Sequence, residues 1–208
     1  MFRIVIQLKF SLKSGIHITG DRTELWVDKA LMIDEMDSNK FLIPATSIKG
    51  WLRENAERIL RIFNQNVCEA SNPSKLCGEC LICKVFGSPK TKSPLRFTDV
   101  KIDAKKEIRT SVSLSRYRKT AYEQRLYTTE VAWVKEFNVR IHGIFASEDL
   151  AKQAIALIWI AAKMGIVIGS SKSRGLGWVE LCDFKATCND VVVSEEEIMK
   201  IVRGWQCA

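Results

Sequence analysis

The sequence predicts an α+β fold of the ferredoxin-like, RRM-like kind, a βαββαβ core in one domain spanning residues 1–208. Three observations carry this. Ile4, Ile6, Leu8, Phe10 and Leu12 alternate with polar residues, the period of a half-buried strand. Two segments, 47–63 and 147–165, place apolar residues at helical spacing. The elements run strand, helix, strand, extension, strand, helix, strand, which is the order of a split βαβ sandwich.

Each element has a local reason. Gly15 and Gly20 frame Ile16-His17-Ile18-Thr19 as a strand end or turn, with the two histidines, His17 and His142, read as polar-face strand residues. A polar loop rich in carboxylates follows, from Asp21 to Asp37. After Pro44, Thr46 or Ser47 can cap a helix whose apolar stripe is Ile48, Leu52, Asn55 or Ala56, Ile59 and Phe63. Lys49, Arg53, Glu57 and Arg61 form its expected solvent stripe, so Lys49 and Arg53 stack near a helix start that already favours an anion. Residues 64–93 are irregular and cysteine-bearing, and 95–102 suit one strand. Residues 105–125 are basic and aromatic with no continuous apolar face, and they read as an extension leaving the core. A strand at 137–141, a helix capped by Ser147, and a strand from about Leu176 to Phe184 follow. Ser194 with Glu197 makes a capping box for the last helix.

Composition narrows the function. A formal charge of +8 over 208 residues points to a polyanionic partner, because clustered lysine and arginine release nucleic-acid counterions. No run is long enough to span a membrane, and Met1-Phe2-Arg3 enters a strand pattern rather than an apolar leader. With seven cysteines grouped more like metal ligands than a disulfide framework, a reducing, cytoplasmic setting is expected.

Three motifs carry the chemistry. Gly169-Ser170-Ser171-Lys172-Ser173-Arg174-Gly175-Leu176-Gly177 lies between two apolar runs; glycines let backbone N–H groups form an anion nest, and Lys172 and Arg174 add charge. The Gly-Lys-Ser/Thr order of a nucleotide P-loop is absent. Cys77, Cys80 and Cys83 stand at three-residue steps, a spacing suited to one tetrahedral zinc ion with Cys68 as fourth ligand, or His17 or His142 in its place. An iron–sulfur cluster is disfavoured by the missing Cys-Pro run. Cys182, Cys188 and Cys207 have no partner spacing and read as small core or surface residues. Asp28 and Asp34 bracket an apolar run, Ala30-Leu31-Met32-Ile33, that would pin their loop to the body. A pinned carboxylate can bind Mg²⁺ or orient a ribose 2′-hydroxyl, though from spacing alone a solvated loop is the better reading.

Taken together, several stretches resemble one family, the RAMP proteins that form the backbone of type III CRISPR RNA-guided complexes. They are Gly15-Ile16-His17-Ile18-Thr19-Gly20; Ile43-Pro44-Ala45-Thr46-Ser47-Ile48-Lys49-Gly50-Trp51-Leu52-Arg53; Cys77 to Gly87; and the glycine loop. Val112 to Arg116, Ala121 and Leu126-Tyr127 with Glu130-Val131 resemble the family's thumb. Ala45 and Ala30 depart from the family's usual glycine and proline.

The resemblance implies a body that stacks in several copies along a guide RNA, with a zinc knuckle inserted at 64–93 and a thumb at 104–130. It implies that Ser47, Lys49, Arg53, Ser171, Lys172 and Arg174 hold guide phosphates, and that Arg116 and Arg118 lie on a thumb reaching across the guide–target duplex. The family's Asp-x-x-Val-Ile-x-Asp pattern falls on Asp28 to Asp34, which makes Asp28 the candidate for metal-dependent cleavage of target RNA. Its implied partners are guide RNA, target RNA, related RAMP subunits and other subunits of the complex. A second group in the family binds without cutting, and a third reading is a metal-independent guide-processing ribonuclease that relies on a histidine such as His17.

Overall fold

The computed structural model describes residues 1–22, 24–68 and 76–206. Its centre is β1, Phe2–Leu12, whose Ile4, Ile6, Leu8 and Phe10 are all at most 1% exposed. Side chains alternate across a strand, so these four form one continuous row on one face. On either side β1 pairs antiparallel with β7 (Glu136–Phe145) and β8 (Val179–Cys188). With β3 (Leu95–Phe97) on β7 and β9 (Val191–Val192) on β8, the sheet order is β3-β7-β1-β8-β9. The chain is thus a mixed α+β structure with antiparallel sheets, and the order β3-β7-β1-β8 is compatible with a split βαβ layout.

Helices α1 (Ala45–Ile62) and α3 (Glu148–Met164) cover the apolar face. Trp51 of α1 meets Phe10 edge-on at 5.6 Å between ring centres, and Phe10 stacks on Phe137 of β7 at 5.2 Å. Helix α3 is apolar almost all round because it is enclosed by α1, the sheet and α4 (Glu195–Gln206). The Ser147 side chain accepts the Leu150 N–H, and Ser194 and Glu197 exchange the reciprocal bonds of a capping box. Beside the sheet, β2 (Lys40–Ile43) pairs with β4 (Val100–Asp103). The basic stretch is a long hairpin of β5 (Lys105–Leu114) and β6 (Ala121–Trp133).

Several expectations are corrected. Helix α1 begins at Ala45, with Pro44 at the cap position and no side-chain cap from Thr46 or Ser47. Proline fixes φ where the chain must turn into the helix, and the Asp99 carboxylate, 2.7 Å away, takes the Ala45 N–H instead. Residues 95–102 form two strands, because the chain breaks at Thr98-Asp99 to place that carboxylate. The strand after the glycine loop starts at Val179, not Leu176, and runs on to Cys188 along β1. Gly177, with φ +78°, holds the loop open until then. Glu57 is buried rather than on the solvent stripe, and His17 has no exposed surface. Cys188 is buried and Cys182 exposed, while Cys207, and residues 69–75 of the cysteine-bearing stretch, lie outside the described residues.

Candidate nucleic-acid interface and metal centre

The glycine loop is held by backbone, not by side chains. Ser170 N–H donates to the His17 carbonyl and Gly177 N–H to the Gly15 carbonyl, both at 2.8 Å. Gly169 (φ +91°) lies so close to the His17 carbonyl that a Cβ would sit 2.6 Å from its oxygen, and a Cβ at Gly177 would run into the Ile168 carbonyl. Only glycine fits such approaches. Ser171 and Gly175, both left-handed, bracket a single 3-10 turn, Lys172–Arg174, that sets the two cations on the surface.

This loop faces the first turns of α1. Thr46, Ser47, Gly50 and Glu54 form one wall of a groove of about 340 Å³, and Gly169, Ser170 and Lys172 form the other. Trp51 donates its indole N–H to the Val167 carbonyl at 2.7 Å, which fixes the spacing of the walls. Lys172 reaches Glu54 at 3.5 Å across the groove. The structure therefore brings Ser47 and Lys172 together.

Lys49 and Arg53 stand on the neighbouring strip of α1. Partial burial, and then the nearby Arg53 guanidinium, push the Lys49 pKa down, so an incoming anion would be a favourable neighbour. Arg53 is engaged already: its Nε–H donates to Glu57 at 2.8 Å and its Nη1–H to the Gly87 carbonyl at 3.1 Å, with Nη2 buried and unpartnered among the described residues. Arg174 lies over Tyr127 of β6 and donates to its hydroxyl at 2.6 Å, joining the loop to the hairpin. Arg116 and Arg118 are exposed at the hairpin tip, where the Ser115 hydroxyl accepts the Arg118 N–H.

Asp28 sits against the same hairpin. Its Oδ2 accepts the Thr128 backbone N–H at 2.6 Å and the Thr128 hydroxyl at 3.0 Å, while its own N–H donates to that hydroxyl oxygen. The backbone bond first, then the hydroxyl bond, hold the exposed carboxyl below the ordinary aspartate range. The other oxygen, Oδ1, has no partner among the described residues. Asp34 is employed elsewhere, buried in an ion pair with Lys101 at 2.8 Å. Ala30 and Leu31 do pin the loop, being at most 3% exposed.

Sequence reasoning missed what holds this loop in place. Glu130 Oε2 accepts the Leu31 N–H at 2.8 Å and an Arg22 guanidinium N–H at 2.9 Å. Its backbone carbonyl takes the His17 Nδ1–H at 2.6 Å, and His17 Nε2 lies 3.0 Å from the Thr19 hydroxyl. Burial lowers the His17 pKa and keeps the ring neutral, with both nitrogens in use. One short chain of bonds thus links the glycine loop, the Asp28 loop and the hairpin base. The available signal was a carboxylate opening the apolar run Val131-Ala132-Trp133-Val134, since a buried charge demands partners.

The cysteine cluster assembles as its spacing implied. The Sγ atoms of Cys68, Cys77, Cys80 and Cys83 all lie within 4.8 Å of one another, Cys68 being 3.6 Å from Cys80 and 3.4 Å from Cys83. Cys80 caps the helix α2 (Leu81–Phe86), and Cys83 is buried inside it. Backbone N–H groups of Cys80 and Glu79 pull the Cys77 thiol down to about 6, whereas burial pushes Cys83 up to about 12. Four thiolates about 2.3 Å from one tetrahedral ion would stand about 3.8 Å apart, so these residues could hold a metal, with no histidine needed.

A family model of the RAMP superfamily matches residues 9–180. The CRISPR system Cms endoribonuclease Csm3 of Methanocaldococcus jannaschii is 27% identical over 207 residues, covering 89% of this chain and 81% of that protein. Among solved structures, a chain of the type III-B Cmr-beta complex bound to cognate target RNA superposes with a TM-score of 0.63 at 17% identity. That match covers 88% of this chain but only 60% of the solved one, and at that identity the likeness is one of fold. With the family model spanning most of the sequence, the chain belongs to the RAMP superfamily.

Proposed function

We propose that this chain is a backbone subunit of a type III CRISPR effector complex, stacking with further copies or related RAMP subunits along a guide RNA and cutting the target RNA paired to it. The observation that carries this is the pairing of a backbone-built, cation-edged groove with a separate, ionised carboxylate on one bonded framework.

In this reading the Ser47 hydroxyl and Lys172 bind guide phosphates across the groove, with Lys49 beside them. Ser171 and Arg174 extend the contact toward the hairpin. Because Asp99 already takes the first helical N–H, the side chains rather than the helix start provide most of the grip. Arg53 acts through its field, its Nε and Nη1 donors being committed to Glu57 and Gly87 and its Nη2 being buried. Arg116 and Arg118, at the hairpin tip, reach the phosphates of the guide–target duplex. Such contacts ignore base identity, and sequence is read by base pairing.

Asp28 is the residue at the cut. A carboxyl held below its ordinary pKa is a weak proton acceptor but a good ligand for a hard cation, and it orients a ribose 2′-hydroxyl by accepting its hydrogen bond. Oδ1 of this exposed carboxyl, without a partner among the described residues, fits Mg²⁺, which keeps most of its waters and takes one or two carboxylates with substrate phosphate. Such an ion, when bound, supplies positive charge to the phosphate under attack. Thr128 fixes the carboxylate, and Glu130 with Arg22 holds the loop that carries it. The four cysteines would take a structural Zn²⁺, closing the 68–83 stretch onto α1.

Asp28→Ala in a guide-loaded complex, given matching RNA and Mg²⁺, is expected to lose cleavage by about 10²–10⁴-fold with guide binding intact. Retained metal-dependent cutting would remove Asp28 from the chemistry. An absence of cutting by the unaltered complex would leave the chain as a scaffold that binds guide RNA.

A further inference from the structure

Helices cover one face of the five-stranded sheet, and no described element covers the other. On β1 the outward row is Arg3, Val5, Gln7, Lys9 and Ser11; on β7 it is Glu136, Asn138, Arg140, His142 and Ile144. Register sets these side by side: Gln7 lies opposite both Arg140 and Lys185, and His142 lies opposite both Val5 and Arg96. A groove of about 490 Å³ runs over this face, bordered by Gln7, Lys9, Thr98, Asn138, Arg140 and Asp183.

The charges here are unbalanced. Lys9 is paired with Glu136 at 2.6 Å and Lys185 with Asp183 at 3.4 Å. Arg3, Arg96 and Arg140 are exposed and have no carboxylate partner among the described residues. Arg96 stands opposite His142, Arg140 two residues along β7 from it, and Arg3 opposite Ile144, two residues the other way, so the three guanidiniums flank His142 along one face. Its chemistry limits the occupant. Among the described residues of these strands, the large apolar side chains well exposed on this face are Ile144 and, at the sheet edge, Val192, too few for the core of a protein interface. Aromatic side chains on which bases stack are missing from these outward rows. Arginine with glutamine and asparagine is the donor set of phosphate and sugar contacts.

We propose that the uncovered sheet face is a second nucleic-acid surface, which takes a phosphodiester backbone through Arg3, Arg96 and Arg140 and reads neither base nor sugar. It stands apart from the groove between α1 and the glycine loop, which lies on the helix-bearing side, and it does not depend on Asp28 being active.

The test is the salt dependence of binding by the full chain to labelled poly(U) RNA and to poly(dT) DNA. Replacing Arg3, Arg96 and Arg140 by glutamine should lower the log–log salt slope by about 2, at about 0.7 per lost phosphate contact, equally for both probes. The same substitutions in a Lys172→Gln background should give the same decrement, which separates this surface from the groove. A control replacing Arg58, Lys200 and Arg203 should leave the slope unchanged. The proposal is overturned if the sheet variant keeps the parental slope, or if the control lowers it equally. A photoreactive side chain at Asn138 should crosslink to RNA; crosslinking to another protein subunit instead would make the face a protein interface.

Discussion

The groove and the Asp28 loop solve the problem of placing a functional group in opposite ways. The groove is shaped by main chain: positive-φ glycines, carbonyls packed against them, and an indole N–H spanning the walls. Its cations are added at the rim, where each contributes to a sum. The Asp28 site is one carboxylate held by one threonine on an exposed loop, so its function rests on a single side chain. Gripping should therefore be insensitive to most single charge changes and sensitive to backbone shape, and cutting the reverse.

The harshest way to break this contrast is Gly177→Ala. A positive φ and a clash with the Ile168 carbonyl should cost about 2–4 kcal/mol, seen in thermal or urea unfolding. Guide affinity should fall with it, while the cutting rate of complex that does assemble should stay near the parental value. Next is Glu130→Gln, which strikes the bonds shared by both regions. The amide can still accept the Leu31 N–H but leaves the Arg22 guanidinium with Glu24 as its remaining carboxylate, a loss of about 1.5–3 kcal/mol for a charged hydrogen bond. Cutting should suffer more than guide binding, because Leu31 anchors the loop of Asp28. An equal loss in both would mean that the bonded chain does not separate them.

These residues also mark how far the sequence could be read. The strand β1, the apolar stripes of the two covering helices, the Ser147 cap and the capping box of α4 are local patterns, and each appears where its period or cap places it, whereas the start of α1 does not. The cysteine cluster was legible for the same reason, its spacing being short-range. What was not legible depends on distant partners. Asp99 meets the Ala45 N–H across 54 residues, and Glu130 meets Leu31 across 99. No period or spacing encodes such pairs. Arg53 and Glu57 read as a solvent stripe because helical geometry says only which residues share a face. It was the arrival of α2 and Gly87 that half-buried Arg53 and, with it, buried Glu57.

A smaller effect sharpens the rim. Lys172→Gln should lower the salt slope of guide binding by about 0.7, one phosphate contact, without changing the unfolding midpoint. Arg53→Gln should do the opposite, moving the midpoint down while the slope stays put, because its donors serve Glu57 and Gly87. A slope loss of about 0.7 with Arg53 would return it to the phosphate grip.

The smallest effect concerns the threonine under Asp28. Thr128→Val removes the hydroxyl bond but keeps the stronger backbone one, so the Asp28 pKa should rise part of the way to its ordinary value and no further. The sign follows from linkage. A carboxylate whose folded pKa is depressed adds stability above its unfolded pKa and loses it as the pH falls through the folded one. The variant should therefore lack part of this contribution near neutrality and converge with the parent on the acid side, where neither protein retains any of it. Carboxyl NMR titration reads the shift directly. Cutting at neutral pH tests something else: Asp28 is ionised in both proteins, so any loss of rate in Thr128→Val reports a carboxylate that has swung away from its place. A loss approaching that of Asp28→Ala would show that orientation, not charge, is what the single side chain contributes.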